Sequence, residues 1–408
     1  MVSGSACFSS RTAWPSHRNP LSLLLEEKRR KKTEILDLTE SNPTKCAFRF
    51  YGPEVLEPLS NPKNLSYDPD PRGLLEAREA VCRYYAEKNI VLKPEQVFLT
   101  AGTSEAYGFL LQLVADAGDE ALAVEPGYPL FETLAGLSGV SLKKFASVYE
   151  ESWRLDINSL EQAFTARTKA LFIVHPNNPT GHFISSRERE AIHDLCGRKG
   201  CALIVDEVFL DHAWGLRDTP ASFAGQNDGL TFTLSGISKV LGLPQMKLSW
   251  IVVSGPEALR DEAMRRLEFI ADTTLSVNTP AQRALGAWMR TRREAVNEIN
   301  ERAKTNFHYL KETASSVPTS ALLDAEGGWY AVWQGPLSMN DEHFALRLLQ
   351  DRNVLVHPGF LFDFPQENFL VLSLLPPALL FREGVQSLAG AMQEHPAAVR
   401  KGIDIKVN

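Results

Sequence analysis

The feature that most constrains this chain is an alternation, between about residues 97 and 255, of short apolar segments with segments of helical spacing. VFLT (97–100), ALFIVH (170–175) and ALIVDEVF (202–209) are apolar almost throughout, whereas a half-exposed strand would alternate apolar with polar residues. SSREREAIHDLCGRKG (185–200) has a helical pattern that starts with Ser and ends with Gly. This alternation predicts an α/β fold with a mostly parallel central sheet covered on both faces.

The pattern divides the chain into three regions. Residues 1–45 contain a short amphipathic helix and a strand-like segment, and are predicted to form an N-terminal arm that packs with the small domain. Residues 46–280 contain the alternating segments and are predicted to form the large domain. Residues 281–408 begin with a long polar helix (281–315) and continue with mixed helices and strands, which predicts a smaller α+β domain.

The charge and the cysteines narrow the class of protein. The chain has 43 basic and 50 acidic residues, a net charge of −7, so a nucleic-acid partner is not expected. Its five cysteines are scattered without metal-ligand spacing, which predicts no metal site and a reducing compartment.

No stretch approaches the roughly 20 apolar residues of a membrane span, and no signal-peptide pattern is visible. A cytoplasmic location without a membrane partner is therefore the expectation.

Polar residues stand directly after several of the predicted strands. In a parallel α/β sheet, ligands bind beyond the carboxyl ends of the strands, so these residues are expected to meet at one edge. They are Gly102, Thr103, Ser104, Tyr128, Asn177, Asn178, Asp206 and the segment from Ser235 to Lys239. Because they follow different strands, the set predicts a single binding site.

Two of these positions favour charged ligand groups. Gly102 supplies a tight turn, and a helix begins near Ser104, so its N-terminal N–H groups could bind a phosphate; an ordinary N-cap serine is the alternative. Asp206 lies at the edge of a buried strand, where a carboxylate needs a partner. A cationic ring nitrogen would provide one, and a salt bridge or a cap is the alternative.

Lys239 and Asn178 are the other two chemical groups of the set. A partly buried lysine loses its proton more easily, and its neutral amine can form an imine with an aldehyde. A solvated surface lysine is the alternative for Lys239. Asn178 lies in NNPTG (177–181), a sharp turn that would aim it at the sheet edge, and an ordinary turn asparagine is the alternative.

Taken together, the motifs resemble one family. GTS (102–104), EPGYP (125–129), NPTG (178–181), DEVF (206–209) and SGISK (235–239), followed by Lys247, are similar to class I/II aminotransferases of the pyridoxal 5'-phosphate (PLP) fold type I, which includes aspartate aminotransferase. Their order and spacing agree over roughly residues 35–375. Each motif is weak alone, whereas five in order are specific.

The resemblance implies a role for each residue. Lys239 resembles the lysine that holds PLP as a Schiff base, and Asp206 the aspartate that pairs with the pyridine nitrogen. Asn178 resembles the donor to the 3-oxygen of PLP, and Tyr128 the aromatic residue that stacks on its ring. The remaining cofactor-binding residues implied are Gly102, Thr103, Ser104, Ser235 and Lys247, the last at a position where the family usually has Arg.

The resemblance also implies a shared active site. Tyr67 resembles a tyrosine that reaches the phosphate in the neighbouring subunit, which requires a homodimer. Ser41, Asn42, Asn178 and Arg11 are the implied substrate contacts. The resemblance also allows a cis Asn178–Pro179 peptide bond.

Two departures from the family concern the tuning of the cofactor and the binding of the substrate. Phe209 stands where a Tyr usually donates to the 3-oxygen, and Val371 stands where an Arg usually binds the substrate α-carboxylate. A buried carboxylate needs a charge-assisted partner, so another cation is expected to replace that Arg. Arg11 is our first candidate and Arg72 the second, whereas Arg382 is expected to lie out of reach.

The family implies a PLP-dependent aminotransferase that moves an amino group between an amino acid and a 2-oxo acid. A PLP-dependent lyase, or a biosynthetic replacement or cyclisation enzyme, is the alternative because it would use the same residues. A PLP-binding regulator is not expected, since only about 40 residues precede the first core motif.

Overall fold

The computed structural model describes residues 7–13, 19–215, 221–335, 337 and 339–394. Parts of the predicted arm (1–6 and 14–18) and the end of the predicted small domain (395–408) lie outside them. The strands are β1 (Leu36–Asp37), β2 (Val97–Thr100), β3 (Glu120–Glu125), β4 (Ser141–Tyr149), β5 (Trp153–Leu155), β6 (Thr168–Val174), β7 (Ala202–Asp206), β8 (Thr231–Gly236), β9 (Ser249–Ser254), β10 (Ala321–Leu322), β11 (Tyr330–Gln334), β12 (Val354–Leu355), β13 (His357–Pro358) and β14 (Phe369–Ser373). The helices are α1 (Pro20–Arg30), α2 (Pro53–Leu56), α3 (Leu75–Ala86), α4 (Thr103–Val114), α5 (Phe131–Leu137), α6 (Ile157–Ala163), α7 (Ser186–Lys199), α8 (Ile237–Val240), α9 (Glu257–Asp272), α10 (Thr279–Arg290), α11 (Arg292–Ser315), α12 (Asp341–Arg352) and α13 (Ala378–Glu394).

The central sheet confirms the predicted α/β fold. Its strand order is β2-β9-β8-β7-β6-β3-β4-β5, and the neighbours from β8 to β4 pair in parallel. β9 lies antiparallel between β2 and β8, which the apolar pattern of its residues did not reveal. β2 and β8 therefore run in the same direction, and both end at the edge where β7, β6 and β3 end.

Both faces of this sheet are covered by helices, which explains the continuous apolar strands. In β6, Phe172 packs into one apolar cluster, with residues of α4, α5 and α9. Its neighbours Leu171 and Ile173 pack into another, with residues of α6 and α7. Alternate residues of a strand point to opposite faces, so a strand buried on both faces must be apolar throughout.

A smaller layer packs around a second, antiparallel sheet with the order β10-β11-β14-β13. Its apolar cluster includes residues of α11, α12 and α13, among them Leu310, Phe344 and Phe381. The N-terminal arm lies against this layer, since β1 pairs in parallel with β12 and Asn19 before α1 donates a hydrogen bond to Glu342 in α12 (3.0 Å).

The region after Pro280 differs from its sequence pattern. The helix predicted over 281–315 consists of two helices, α10 and α11, which meet at Thr291. Leu285 and Trp288 of α10 pack into a cluster with α3, β2 and β9 of the large domain. The domain boundary at 280/281 stays a prediction, and this packing favours a boundary nearer Thr291. None of the described helices is long and apolar enough to cross a membrane.

Candidate active site

The predicted site residues gather at one edge of the central sheet. β8, β7, β6 and β3 are successive parallel neighbours, and Lys239, Asp206, Asn178 and Tyr128 follow or end them in that order. β9 runs in the opposite direction, so Lys247, which precedes it, joins the same edge. The topology therefore brings together residues that are far apart in the sequence, as the strand-end argument expected.

Lys239 lies in the single-turn helix α8 directly after β8. Burial lowers the pKa of its amine to about 8, against the opposing attraction of Asp206. The ring of Trp329 lies 4.6 Å from its Nζ, and the ring of Phe209 lies 5.6 Å away. Such an amine is unprotonated in a larger fraction of molecules than an exposed lysine, which a nucleophile or a general base requires.

Asp206 is a buried carboxylate at the end of β7. Burial raises its pKa to about 6, which is opposed by hydrogen bonds from the Val208 N–H (3.0 Å) and the Tyr107 hydroxyl (3.3 Å) and by Lys239. A cation bound beside this group would be stabilised, because it would offset part of the cost of burying the negative charge.

Asn178 lies in a turn that is well fixed by its neighbours. The Asn177 side chain donates to the Pro126 carbonyl (3.1 Å) and to Thr180 (3.0 Å), and the Asn178–Pro179 peptide is cis. Among the described residues, the buried Oδ1 of Asn178 has no hydrogen-bond partner. A buried amide of this kind is suited to a polar ligand group.

An anion site lies where β2 meets α4. Gly102 is the N-cap of α4, without a side-chain capping bond, so the first N–H groups of the helix, at Thr103 and Ser104, face the edge. A Cβ atom placed on Gly102 would lie 3.4 Å from the Nζ of Lys247, so the ammonium group is next to the start of α4. A helix N-terminus beside an ammonium group suits a phosphate.

Ser235 does not join this anion site. Its side chain is fully buried within β8, and its hydroxyl donates to the Glu207 carbonyl (3.5 Å). The sequence placed it at the strand end, whereas the side chain points into the interior of the sheet. Its predicted contact with the cofactor stays a prediction.

Tyr128 faces the small layer across the site. Burial raises the pKa of its phenol to about 12, with Asp206 and Tyr330 contributing in the same direction. Burial also raises the pKa of the Tyr330 phenol, while a side-chain hydrogen bond with Ser41 opposes this shift. Ser41 of the arm therefore lies at the site, whereas the Asn42 side chain caps its own turn by accepting from the Thr44 N–H (3.1 Å).

The predicted cationic and interface residues are not at this site within one chain. Arg11 is exposed and donates to the Leu137 carbonyl at the end of α5 (3.1 Å). Arg72 forms an ion pair with Glu268. Tyr67 is 77% exposed, as a residue that contacts another subunit would be. Arg382 lies over the ring of Tyr309 in the small layer.

Val371 occupies the middle of an apolar cluster. It is fully buried in β14, between Val332 of β11 and His357 of β13. Phe362 belongs to the same cluster, and Tyr330 packs against it. The position thus faces the site side of the small sheet, but its surroundings are apolar.

Three contacts of the site were missed by sequence reasoning. Tyr107 is fully buried in α4 and donates to Asp206. Trp329 belongs to a Gly-Gly-Trp-Tyr segment that the sequence indicated only as a strand. His212 bonds the main chain of Lys239. His212 follows Asp206 by six residues, and this spacing does not predict a contact with Lys239. The conformation of the loop between them decides where the His212 side chain points.

The sequence model of the family described as aminotransferase class I and II matches residues 35–379, which is most of the chain. The chain belongs to this family. It is a PLP-dependent aminotransferase, whose substrates are an amino acid and a 2-oxo acid. The recognised family, the fold and the cofactor expected from the sequence are thereby confirmed.

Several known proteins are similar to this aminotransferase. The glutamate-pyruvate aminotransferase AlaA of Haemophilus influenzae is 25% identical over 394 residues, 93% of this chain and 95% of the relative. The S-alkyl-thiohydroximate lyase SUR1 of Arabidopsis thaliana is 26% identical over 353 residues, 84% of this chain and 75% of the relative. The solved alanine aminotransferase from Pyrococcus furiosus has a TM-score of 0.86 at 24% identity, covering 95% of this chain and 100% of that chain, which shows the fold.

The residues at the sheet edge fit PLP. Asp206 offers a buried negative charge for a ring nitrogen, and Asn178 offers a buried side-chain amide whose Oδ1 has no hydrogen-bond partner among the described residues. The start of α4 and Lys247 offer an anion site, and the Lys239 amine has a lowered pKa. These are the groups that an aromatic cation with a phosphate and an aldehyde requires.

We expect Lys247→Ala to weaken PLP binding about 10- to 100-fold, since a charge-assisted hydrogen bond is worth about 1.5–3 kcal/mol. Lys247→Arg should bind PLP at least as tightly as the wild type, because a guanidinium can contact a phosphate with two N–H groups. Equilibrium dialysis measures both affinities. Pyridoxal, which lacks the phosphate, is the control, and a similar loss of pyridoxal affinity in Lys247→Ala would contradict the assignment.

Proposed function

We propose that this aminotransferase holds PLP as a Schiff base of Lys239 and transfers an amino group at an active site shared between the subunits of a homodimer. The observation that carries the proposal is a pair of neighbouring groups whose pKa values are moved toward neutrality by burial. The pKa of Lys239 is lowered to about 8, and that of Asp206 is raised to about 6. Paired shifts of this kind, in a site built from several strand ends, are characteristic of catalytic groups.

PLP, when bound, supplies a conjugated ring that accepts the electron pair left on the substrate Cα after loss of a proton. The Lys239 amine would be the base that takes the proton from the substrate Cα and delivers it to the cofactor carbon that had carried the aldehyde. Asp206 stabilises a positive charge at the pyridine nitrogen, which makes the ring a stronger acceptor. Lys239 acts at the substrate Cα and Asp206 acts at the pyridine nitrogen. Neither role requires a metal ion.

The other residues bind and orient. Asn178 would contact the 3-oxygen and Tyr128 would cover one face of the ring. The N-terminus of α4 and Lys247 would hold the phosphate. Phe209 provides an apolar surface where a phenol donor is usual, so the 3-oxygen would have one hydrogen-bond donor fewer on that side. A cytoplasmic location and the absence of a nucleic-acid partner stay predictions.

The covalent role of Lys239 is tested by reduction. We expect borohydride treatment of the PLP-loaded enzyme, followed by peptide mapping, to mark Lys239. Lys239→Ala should lose nearly all turnover, because it removes both the covalent link and the base. Lys169, on the same sheet but in β6, provides a matched control substitution, Lys169→Ala. A label on any other lysine would show that the assignment is wrong.

The same preparation separates transamination from the lyase alternative. Individual amino acids are mixed with the PLP-loaded enzyme, with and without an added 2-oxo acid. A transaminase releases the 2-oxo acid derived from the donor and needs an added 2-oxo acid to turn over again. A lyase releases ammonia from the amino acid alone, and continued ammonia release without an added 2-oxo acid would favour that class.

The homodimer is supported by the exposure of Tyr67 and of nearby apolar residues. Leu65 is 93% exposed and Leu75 is 51% exposed, which is unusual for large apolar side chains on a free surface.

We expect sedimentation to show a dimer. Tyr67→Phe should keep the dimer but weaken PLP binding about 10- to 100-fold, the effect of one lost hydrogen bond to a charged phosphate. A monomer with full PLP occupancy and activity would contradict the shared site.

The substrate is expected to be unusual because of Val371. An arginine at this position would be charged inside an apolar cluster, and the valine supplies no partner for a carboxylate. We therefore expect low kcat/KM for alanine, aspartate and glutamate, and a narrower preferred donor. Arg11 and Arg72 remain the proposed cations. Arg72 is paired with Glu268 within its own chain, so it would reach a site only from the partner subunit, in exchange for that ion pair.

The measurement is kcat/KM on a panel of amino acids for the wild type, Arg11→Ala and Arg72→Ala. Loss of a buried charge-pair contact costs several kcal/mol. Substitution of the arginine that binds the carboxylate should therefore lower kcat/KM about 30-fold or more. Arg290→Ala is the control, because Arg290 is exposed and bonds its own helix. Efficient turnover of a common amino acid that survives both substitutions would show that the carboxylate site lies elsewhere.

A further inference from the structure

His212 makes a direct contact with the main chain of Lys239. It is fully buried in the loop that follows β7, and its Nε2 lies 3.0 Å from the carbonyl oxygen of Lys239. A carbonyl oxygen can only accept, so Nε2 carries the ring proton and donates it to this bond. The bond joins the loop after Asp206 to the turn that contains the reactive lysine.

The remaining contacts of His212 join the same point to the small layer. Its Nδ1 lies 2.8 Å from the side-chain Oδ1 of Asn300 in α11, whose Nδ2 donates to the Asp211 carbonyl (3.0 Å). The main-chain oxygen of His212 accepts the N–H of Gly328 (2.8 Å). Its ring lies 5.1 Å from the ring of Trp329, which in turn covers the Lys239 amine. One buried side chain therefore contacts the lysine main chain, a small-layer helix and the aromatic cover of the amine.

The turn that carries Lys239 needs such support from outside. α8 is only four residues long, Ile237–Val240, so its internal hydrogen bonds are few. A short helix in isolation is not stable, and its geometry is set by the contacts around it. The carbonyl of Lys239 is the acceptor nearest to the reactive side chain. It accepts a longer bond from the Gly242 N–H within the same turn (3.3 Å), and His212 supplies the donor from outside the turn that limits rotation of the lysine main chain.

We propose that His212 is a positioning residue for Lys239: its Nε2–H holds the lysine carbonyl and keeps the amine beneath Trp329, out of water and directed at the sheet edge. The proposal rests on the proposed role of Lys239. It adds a residue that touches neither PLP nor substrate and acts through the lysine. Removal of this bond should let the turn relax and admit water to the amine.

The test compares two amide side chains that differ by one methylene group. His212→Gln can place an N–H near the position of Nε2 and retain the bond to the Lys239 carbonyl. His212→Asn reaches only the position of Nδ1, so it can contact Asn300 but not Lys239. His308→Asn, at an exposed histidine that bonds its own helix, is the control for loss of an imidazole. Circular dichroism and melting temperature establish that each variant is folded.

The first readout is the pKa of the Lys239 amine in the full chain freed of PLP, measured by competitive acylation at a series of pH values with mass spectrometry of the Lys239 peptide. In His212→Asn we expect this pKa to rise from about 8 toward 10.5, the value of an unperturbed lysine. The Gln variant should stay close to the wild type. A purely structural role for the imidazole would move the melting temperature of both variants and leave the lysine pKa unchanged.

The second readout is turnover of the PLP-loaded enzyme. We expect kcat of His212→Asn to fall about 10- to 100-fold with little change in KM, since a misplacement of about 1 Å of a catalytic group costs up to about 100-fold. The Gln variant should recover most of the loss. Equal lysine pKa and equal kcat in the two amide variants would overturn the proposal.

Two further observations keep the outcomes distinct. If His212→Asn does not fold, Asn300→Ala serves instead, because it removes the support of the imidazole without touching the bond to Lys239. This variant should raise the pKa of Lys239 by a smaller amount. An unchanged lysine pKa in Asn300→Ala counts against the proposal. If the proposed role of Lys239 is wrong, borohydride will label another lysine in the wild type. The acylation readout does not depend on that label, because it follows the Lys239 amine in the chain without PLP.

Discussion

The rest of the structure depends on the burial of two opposite charges, Asp206 and Lys239, at one edge of the central sheet. Burial alone is unfavourable for each group, and this cost moves the pKa of the carboxyl upward and that of the amine downward. The arrangement is tolerated because Tyr107 and the Val208 N–H donate to the carboxylate. A reactive amine near neutral pH is thus a result of where the fold places it rather than of the lysine itself.

The cover of this edge comes from a different part of the chain. Trp329 and Tyr330 belong to the small layer, and Ser41 belongs to the N-terminal arm, yet all three contact groups around the site. The segment before β11 is held by the large domain on both sides: the Glu326 N–H donates to the Gly181 carbonyl, and the Gly215 N–H donates to the Glu326 carbonyl. The site therefore lies where the central sheet, the small layer and the N-terminal segment meet.

His182 strengthens this junction with charge. Its ring lies 3.1 Å from Glu188 of the large domain and 3.5 Å from Glu326. Burial alone would lower its pKa, but the two carboxylates outweigh burial and raise it to about 9, so the ring is cationic at neutral pH. A cation between two carboxylates ties the turn of Asn178 to the segment that leads to Trp329.

The departures from the family concern substrate recognition more than cofactor chemistry. On the cofactor side, Phe209 removes one donor to the 3-oxygen and Lys247 keeps the positive charge of the usual arginine. On the substrate side, the position of the usual carboxylate-binding arginine is a valine inside an apolar cluster. Family membership fixes the cofactor, on which the chemistry depends. It leaves the substrate open because a fold and a cofactor do not set the side chains that recognise the substrate.

The sequence by itself determined the strands of the parallel sheet and the candidate residues that gather at their common edge. Apolar runs on a doubly covered sheet have a local signature, and Asp206 ends β7 while Asn178 and Lys239 follow shortly after β6 and β8. The sequence did not determine that β9 is antiparallel, that the helix expected over 281–315 breaks at Thr291, or that the Ser235 hydroxyl points inward. Only the tertiary structure brought His212, Tyr107 and Trp329 to the two charged groups, because such contacts depend on how distant segments pack, and no local pattern records that packing.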